Sequence, residues 1–100
     1  FAELDILVDA GCDVNQARND GVTPAFIAAQ NGHFAELDIL VDAGCDVNQA
    51  RKDGMTPAFA AAHYGQTAAL KILVEAGCDV NQPEKGGVTP AFIAAQEGQT

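Results

Sequence analysis

Few side chains in this sequence are of types that do chemistry, and their spacing argues against it. His33 and His63 are 30 residues apart, and no H-x-x-x-H or C-x-x-C spacing gathers ligands for a metal. Cys12, Cys45 and Cys78 recur every 33 residues. Equivalent atoms on neighbouring packed helices lie roughly 8 to 10 Å apart, whereas a disulfide needs Cα atoms within about 7 Å. The thiols are therefore expected to be reduced, each acting as a small buried hydrophobe. Asp5 and Asp9, like Asp38 and Asp42, are paired carboxylates at i, i+4. In that setting they form a solvated acidic face rather than an acid–base couple or a cation site. Gly86-Gly87 lacks the strand–helix context and the Lys-Ser/Thr of a phosphate loop. No nucleophile has an adjacent base. The expectation is a non-enzyme with no catalytic residue, metal or cofactor.

The elements that would position these side chains are copies of one unit. Asp53 to Gly65 has close copies at Asp20 to Gly32 and at Gly86 to Gly98; Thr23, Thr56 and Thr89 are 33 residues apart, as are Val14, Val47 and Val80. A period of this size marks a solenoid. Each copy opens with Asp-Gly or Gly-Gly, which suits a tight turn. Thr then caps a helix, Pro takes its first position, and an Ala-rich run follows. Residues 1–18 are identical to 34–51. In the complete copy Phe34, Leu37, Leu40 and Val41, widened by Ile39, form one stripe of a second helix. Gly11, Gly44 and Gly77 end that helix, and Asp-Val-Asn leads into an extended loop. Both helices are about ten residues or shorter, too short to persist alone, so neighbouring units must hold them.

The segments T-P-A-F-x-A-A, G-x-x-x-x-L-x-I-L-V-x-A-G and D-V-N, at this spacing and across essentially the whole chain, resemble the ankyrin repeat. The resemblance implies an all-α solenoid of helix-turn-helix units joined by finger-like loops. It also implies noncovalent protein recognition. In register, 1–19 is a partial repeat, 20–52 and 53–85 are whole repeats, and 86–100 is a second partial repeat. No polar caps are visible, so the parent chain is expected to continue on both sides, and the 100 residues alone to be marginally stable or to self-associate. One departure stands out. The family's usual Thr-Pro-Leu-His is Thr-Pro-Ala-Phe in all three copies, Thr23 to Phe26, Thr56 to Phe59 and Thr89 to Phe92. The His network between repeats is therefore lost, and moving bulk from Leu to the next position keeps core volume roughly constant. The three Phe residues are expected as a ladder in the core, with Phe92 left without the following helix. His33 matches the family's Gly-His at the start of the second helix and is expected to be structural.

By the same resemblance, partners meet the fingers and the inner face of the first helices. The matching positions are Asn19, Asp20, Val22, Gln30 and Asn31; then Arg51, Lys52, Asp53, Met55, His63 and Tyr64; then Lys85, Gly86, Val88, Gln96 and Glu97. Asn31, Tyr64 and Glu97 differ at one register while residues 1–18 repeat without change as 34–51, a pattern that recent duplication also gives. Met55, His63 and Tyr64 are the anchor types that concentrate interface energy, and only the middle repeat supplies them. Asn15, Asn48 and Asn81 each stand in Asp-Val-Asn eight residues after a Leu (Leu7, Leu40, Leu73), the pattern of a family asparaginyl hydroxylase; the alternative role is holding the loop by hydrogen bonds.

Charge narrows the partners. With 14 acidic and 5 basic residues the chain carries −9, which repels phosphate backbones and anionic lipid. Nucleic acid is excluded as an expected partner. Nearly half the residues (48%) are hydrophobic, yet no apolar run approaches a membrane span, so membrane insertion is not expected. Four of the five basic residues, Arg18, Arg51, Lys52 and Lys85, fall on the fingers. The expected setting is cytoplasmic, as the recognition segment of a larger intracellular chain. Two other roles remain open: a structural spacer in a long array, and a substrate-presenting segment of an enzyme whose catalytic domain lies elsewhere.

Overall fold

A computed structural model describes residues 15–96, and they form five helices and no strand: α1 Pro24–Asn31, α2 Phe34–Asp42, α3 Pro57–His63, α4 Thr67–Glu75 and α5 Pro90–Gln96. Local chemistry starts the first helix of each unit. Thr23, Thr56 and Thr89 accept the backbone N–H of Phe26, Phe59 and Phe92 at 3.2, 3.1 and 3.1 Å, and a proline follows each cap. Such a cap contributes about 1 kcal/mol, which matters for helices of seven or eight residues. Gly44 and Gly77 follow the second helices with positive φ, where the sequence places their ends.

The helices stack in two rows. The first helices, α1, α3 and α5, pack side by side; α2 and α4 pack beside one another and against their own first helices. Between the rows lies the main core: Ala25, Ala28, Ala29, Ala58 and Ala61 face Leu37, Leu40, Ala69 and Leu73. The alanines let the short helices approach closely. Burying each Leu against them contributes on the order of 2 kcal/mol, more than propensity gives any helix here.

The Thr-Pro-Ala-Phe exchange acts differently from a swap within one core. Ala25 and Ala58 lie in the core between the rows, while Phe26 and Phe59, 1% and 7% exposed, fill the joints between successive first helices. Bulk has moved from within units to between them. Phe92 is 60% exposed, in keeping with the expectation that it lacks a following helix: no described residue covers it as Ala60 covers Phe26 and Ile93 covers Phe59. Two expectations need correction. Phe34 is also exposed, because it is the first residue of α2 and the stripe's buried part begins at Leu37. Cys45 and Cys78 are free and half-buried rather than buried, packed against the edge of the main core. Burial first, then Asp46 and Asp79, push their thiols above the ordinary value, so they are poor nucleophiles. Cys12 lies outside the described residues.

Candidate functional site

The fingers are built by backbone bonds. Arg18, Arg51 and Glu84 donate their N–H to the carbonyls of Val22, Met55 and Val88 at 2.9, 2.8 and 2.9 Å. Each is a narrow hairpin closed by a second bond, from Gly21, Gly54 or Gly87 back to the same Arg or Glu carbonyl. Neighbouring fingers are also tied together: Lys52 N–H donates to the Asp20 carbonyl at 3.0 Å, and Lys85 N–H to that of Asp53 at 2.8 Å. That approach is why glycine stands at 21 and 54. Each has φ near +87°, and a Cβ there would lie 2.9 Å from Lys52 N or 3.0 Å from Glu84 Cα.

Carboxylates brace the hairpins from inside. Asp20 and Asp53 accept the N–H of Val22 and Met55, each at 3.1 Å, and each also pairs with the guanidinium two residues earlier, Arg18 or Arg51. The Arg18 hydrogen bond, then the Val22 N–H, lower the Asp20 pKa to about 2. Asp53 is lowered in the same direction, chiefly by Arg51. The third finger reaches the same end by another route. Gly86 replaces the Asp, and Glu84, in the Arg position, turns its Oε1 to the Val88 N–H at 3.1 Å.

Behind the fingers a second ladder runs through the loops. Asn15 and Asn48 accept the N–H of Asp46 and Asp79, each at 2.7 Å, and Asp46 and Asp79 accept the N–H of Asn48 and Asn81, each at 2.9 Å. Asn15 and Asn48 thus hold their loops to the next unit. Gln66, in the register of His33, donates to the Gln30 carbonyl at 3.1 Å and adds another tie.

Asn19, Asp20 and Lys52 are exposed and Asp53 half-exposed; Asp20, Arg51, Lys52 and Asp53 line an open depression of about 250 Å³ between the first two fingers. At the end of α3, Tyr64 is 53% exposed, its ring edge-on to His63 with centroids 4.7 Å apart. His63 stacks in turn on Phe59 at 6.3 Å, so the pair stands on the core. The Arg51 guanidinium is held above its ordinary value, chiefly by its hydrogen bond to Asp53. Asn31, Gln96, Lys85 and Gly86 are exposed as well.

Val22, Met55 and Val88 are placed elsewhere. The hairpin pairing turns them inward, and they pack on Phe26 and Phe59 in the joints, with Val22 only 4% exposed. Met55 is thus a joint residue rather than an exposed anchor. Gln30 is half-buried, and Glu97 lies outside the described residues. The spacing did not signal that Arg51 roofs a joint, with its guanidinium carbon 5.1 Å from the centre of the Phe26 ring. The Arg-x-Asp pattern across a tight turn was the available clue.

Two helices per unit, joined by stacked fingers, are the architecture that the repeat spacing implied. A family model for ankyrin repeats, in three copies, matches residues 2–84 and 37–100. The chain belongs to the ankyrin repeat family. Ankyrin repeats are in general protein–protein interaction modules and typically non-catalytic scaffolds. None of the curated proteins matches this ankyrin chain. No helix among the described residues is long and apolar enough to cross a membrane, and no cluster of His, Cys, Asp and Glu among them is arranged to hold a metal ion.

Proposed function

We propose that this ankyrin array recognises a protein partner on the side formed by the fingers and the ends of the first helices, as part of an intracellular adaptor. The observation that carries this reading is the Tyr64–His63 pair: a half-exposed aromatic that rests edge-on against His63, which in turn stacks on Phe59 of the core. An exposed ring that is already ordered loses little entropy on binding, which is how aromatic anchors come to dominate interfaces. Arg18 and Arg51 are neutralised by Asp20 and Asp53, so Lys52 and Lys85 set the charge at the finger tips. The near-neutral tips against an acidic remainder orient a partner without requiring it to be basic.

The test is comparative capture from cell extract, read by quantitative mass spectrometry. Proteins held by the unaltered chain and by an Asp38→Ala, Asp42→Ala double variant, changed on the outer face of α2, but lost on Tyr64→Ala with Lys52→Ala, would support the reading. A captured set indifferent to Tyr64 and Lys52 would contradict it.

A further inference from the structure

We propose that Met55 is a site of reversible oxidation, where a peroxide converts its thioether to a sulfoxide and so loosens the second finger and the two joints beside it. Met55 is the chain's single methionine; Val22 and Val88 hold the same register in the neighbouring units. It is half-buried. Its side chain packs against Val22, Phe26 and Ala60 in one joint and against Phe59, Ala62 and Ile93 in the next. Its Sδ accepts a hydrogen bond from Nη2 of Arg51 at 2.7 Å. Its backbone closes the finger, with the N–H donated to Asp53 and the carbonyl accepting the Arg51 N–H. One sulfur therefore touches both joints and the residue that roofs the first.

The oxidant is hydrogen peroxide. A sulfur lone pair attacks one peroxide oxygen, and the S–O bond forms as the O–O bond breaks. The other oxygen leaves with the electron pair and takes the transferred oxygen's proton, ending as water. Sulfur is oxidised by two electrons and the peroxide reduced by two. Arg51 then decides the consequence. A thioether is a weak acceptor, whereas the sulfoxide is polar, so the guanidinium on the sulfur turns to the new oxygen. That same guanidinium now holds Asp53 through two hydrogen bonds and lies 5.1 Å from the centre of the Phe26 ring. Turning to the oxygen draws it off both. The oxygen is also a polar group set among apolar side chains, which opposes close packing of the joints. Val22 and Val88 carry no sulfur, so the change is confined to the middle unit and is independent of what the recognition face binds.

Peroxide treatment of the whole chain tests this, followed by dithiothreitol to return cysteine sulfenic acids and disulfides to thiols. Peptide mass spectrometry is expected to place one added oxygen on Met55 while the chain is folded. The oxidised chain is expected to melt about 4 °C or more lower, and the Arg51 Nε–Hε signal in NMR spectra to shift. A methionine sulfoxide reductase is expected to restore both. Met55→Leu, close in volume, is expected to fold and to keep its melting temperature after peroxide. Should Met55→Leu fold poorly, Met55→Val, the residue of the flanking units, takes its place. A folded chain in which Met55 resists peroxide until urea unfolds it would overturn the proposal. So would a sulfoxide that leaves the melting temperature or the Arg51 signal unchanged, or a Met55→Leu chain that loses as much stability under peroxide as the unaltered one.

Discussion

The guanidinium carbon of Arg51 lies 5.1 Å from the centre of the Phe26 ring, so the finger of one unit roofs the joint made by the helix of the unit before it. Finger and core are therefore mechanically one object. Arg51 is also held by Asp53, whose carboxylate braces the Met55 N–H, and Met55 packs in the same joint.

The joint makes two identical tetrapeptides unequal. Phe26→Ala should cost about 3 to 5 kcal/mol, the range for deleting a buried ring, whereas Phe92→Ala should cost the monomer under about 1. Urea unfolding at low protein concentration measures both. Equal losses would show that the Phe26 joint is not a centre of stability. Arg51→Ala should fall between them, near 1 kcal/mol, from the lost cation–π contact.

The loop ladder predicts a graded effect among the asparagines. Asn48→Ala leaves the Asp79 N–H without its side-chain acceptor and should destabilise by about 1 kcal/mol, while Asn81→Ala should do less, since the exposed Asn81 enters the ladder through its backbone N–H. For the same reason, enzymatic hydroxylation of the Asp-Val-Asn asparagines, implied by the family resemblance, should reach Asn81 before Asn48. Peptide mass spectrometry would read one added oxygen. Modification of Asn48 first would contradict the ladder's hold on it.

Acid should loosen the fingers late. Asp20 is depressed from 3.8 to about 2, so its contribution is fully present above the unfolded value and is lost as pH falls through the folded one. Asp53 moves in the same direction. Carboxyl NMR titration should put the Asp20 midpoint near 2, and Arg18→Ala should raise it. Because this pair is solvent-exposed, the change in global stability should be small. An Asp20 midpoint at the ordinary carboxylate value would mean that the brace does not persist in solution.

Much of this was legible in the sequence, because the signals act over short distances. Thr23, Thr56 and Thr89 cap their helices within three residues, and the 33-residue period fixes which elements recur. Spacing alone did not reveal facts that depend on the neighbouring unit. Met55 shares its finger with exposed Lys52, yet the Arg51–Met55 pairing turns it into the joint. Phe34 continues the apolar stripe of α2 by period and leaves the core by position, at the helix's first residue.

The recognition reading stands or falls on Tyr64. The deciding measurement is the affinity of a captured partner for Tyr64→Ala against the unaltered chain, taken with both melting temperatures. The expected result is binding weakened by about 2 kcal/mol, roughly thirtyfold in Kd, with Asn31→Ala costing under about 1 and the melting temperature of Tyr64→Ala nearly unchanged. A lowered melting temperature with unchanged affinity would make the exposed ring a cover for the helix end and contradict its place at the centre of the binding face.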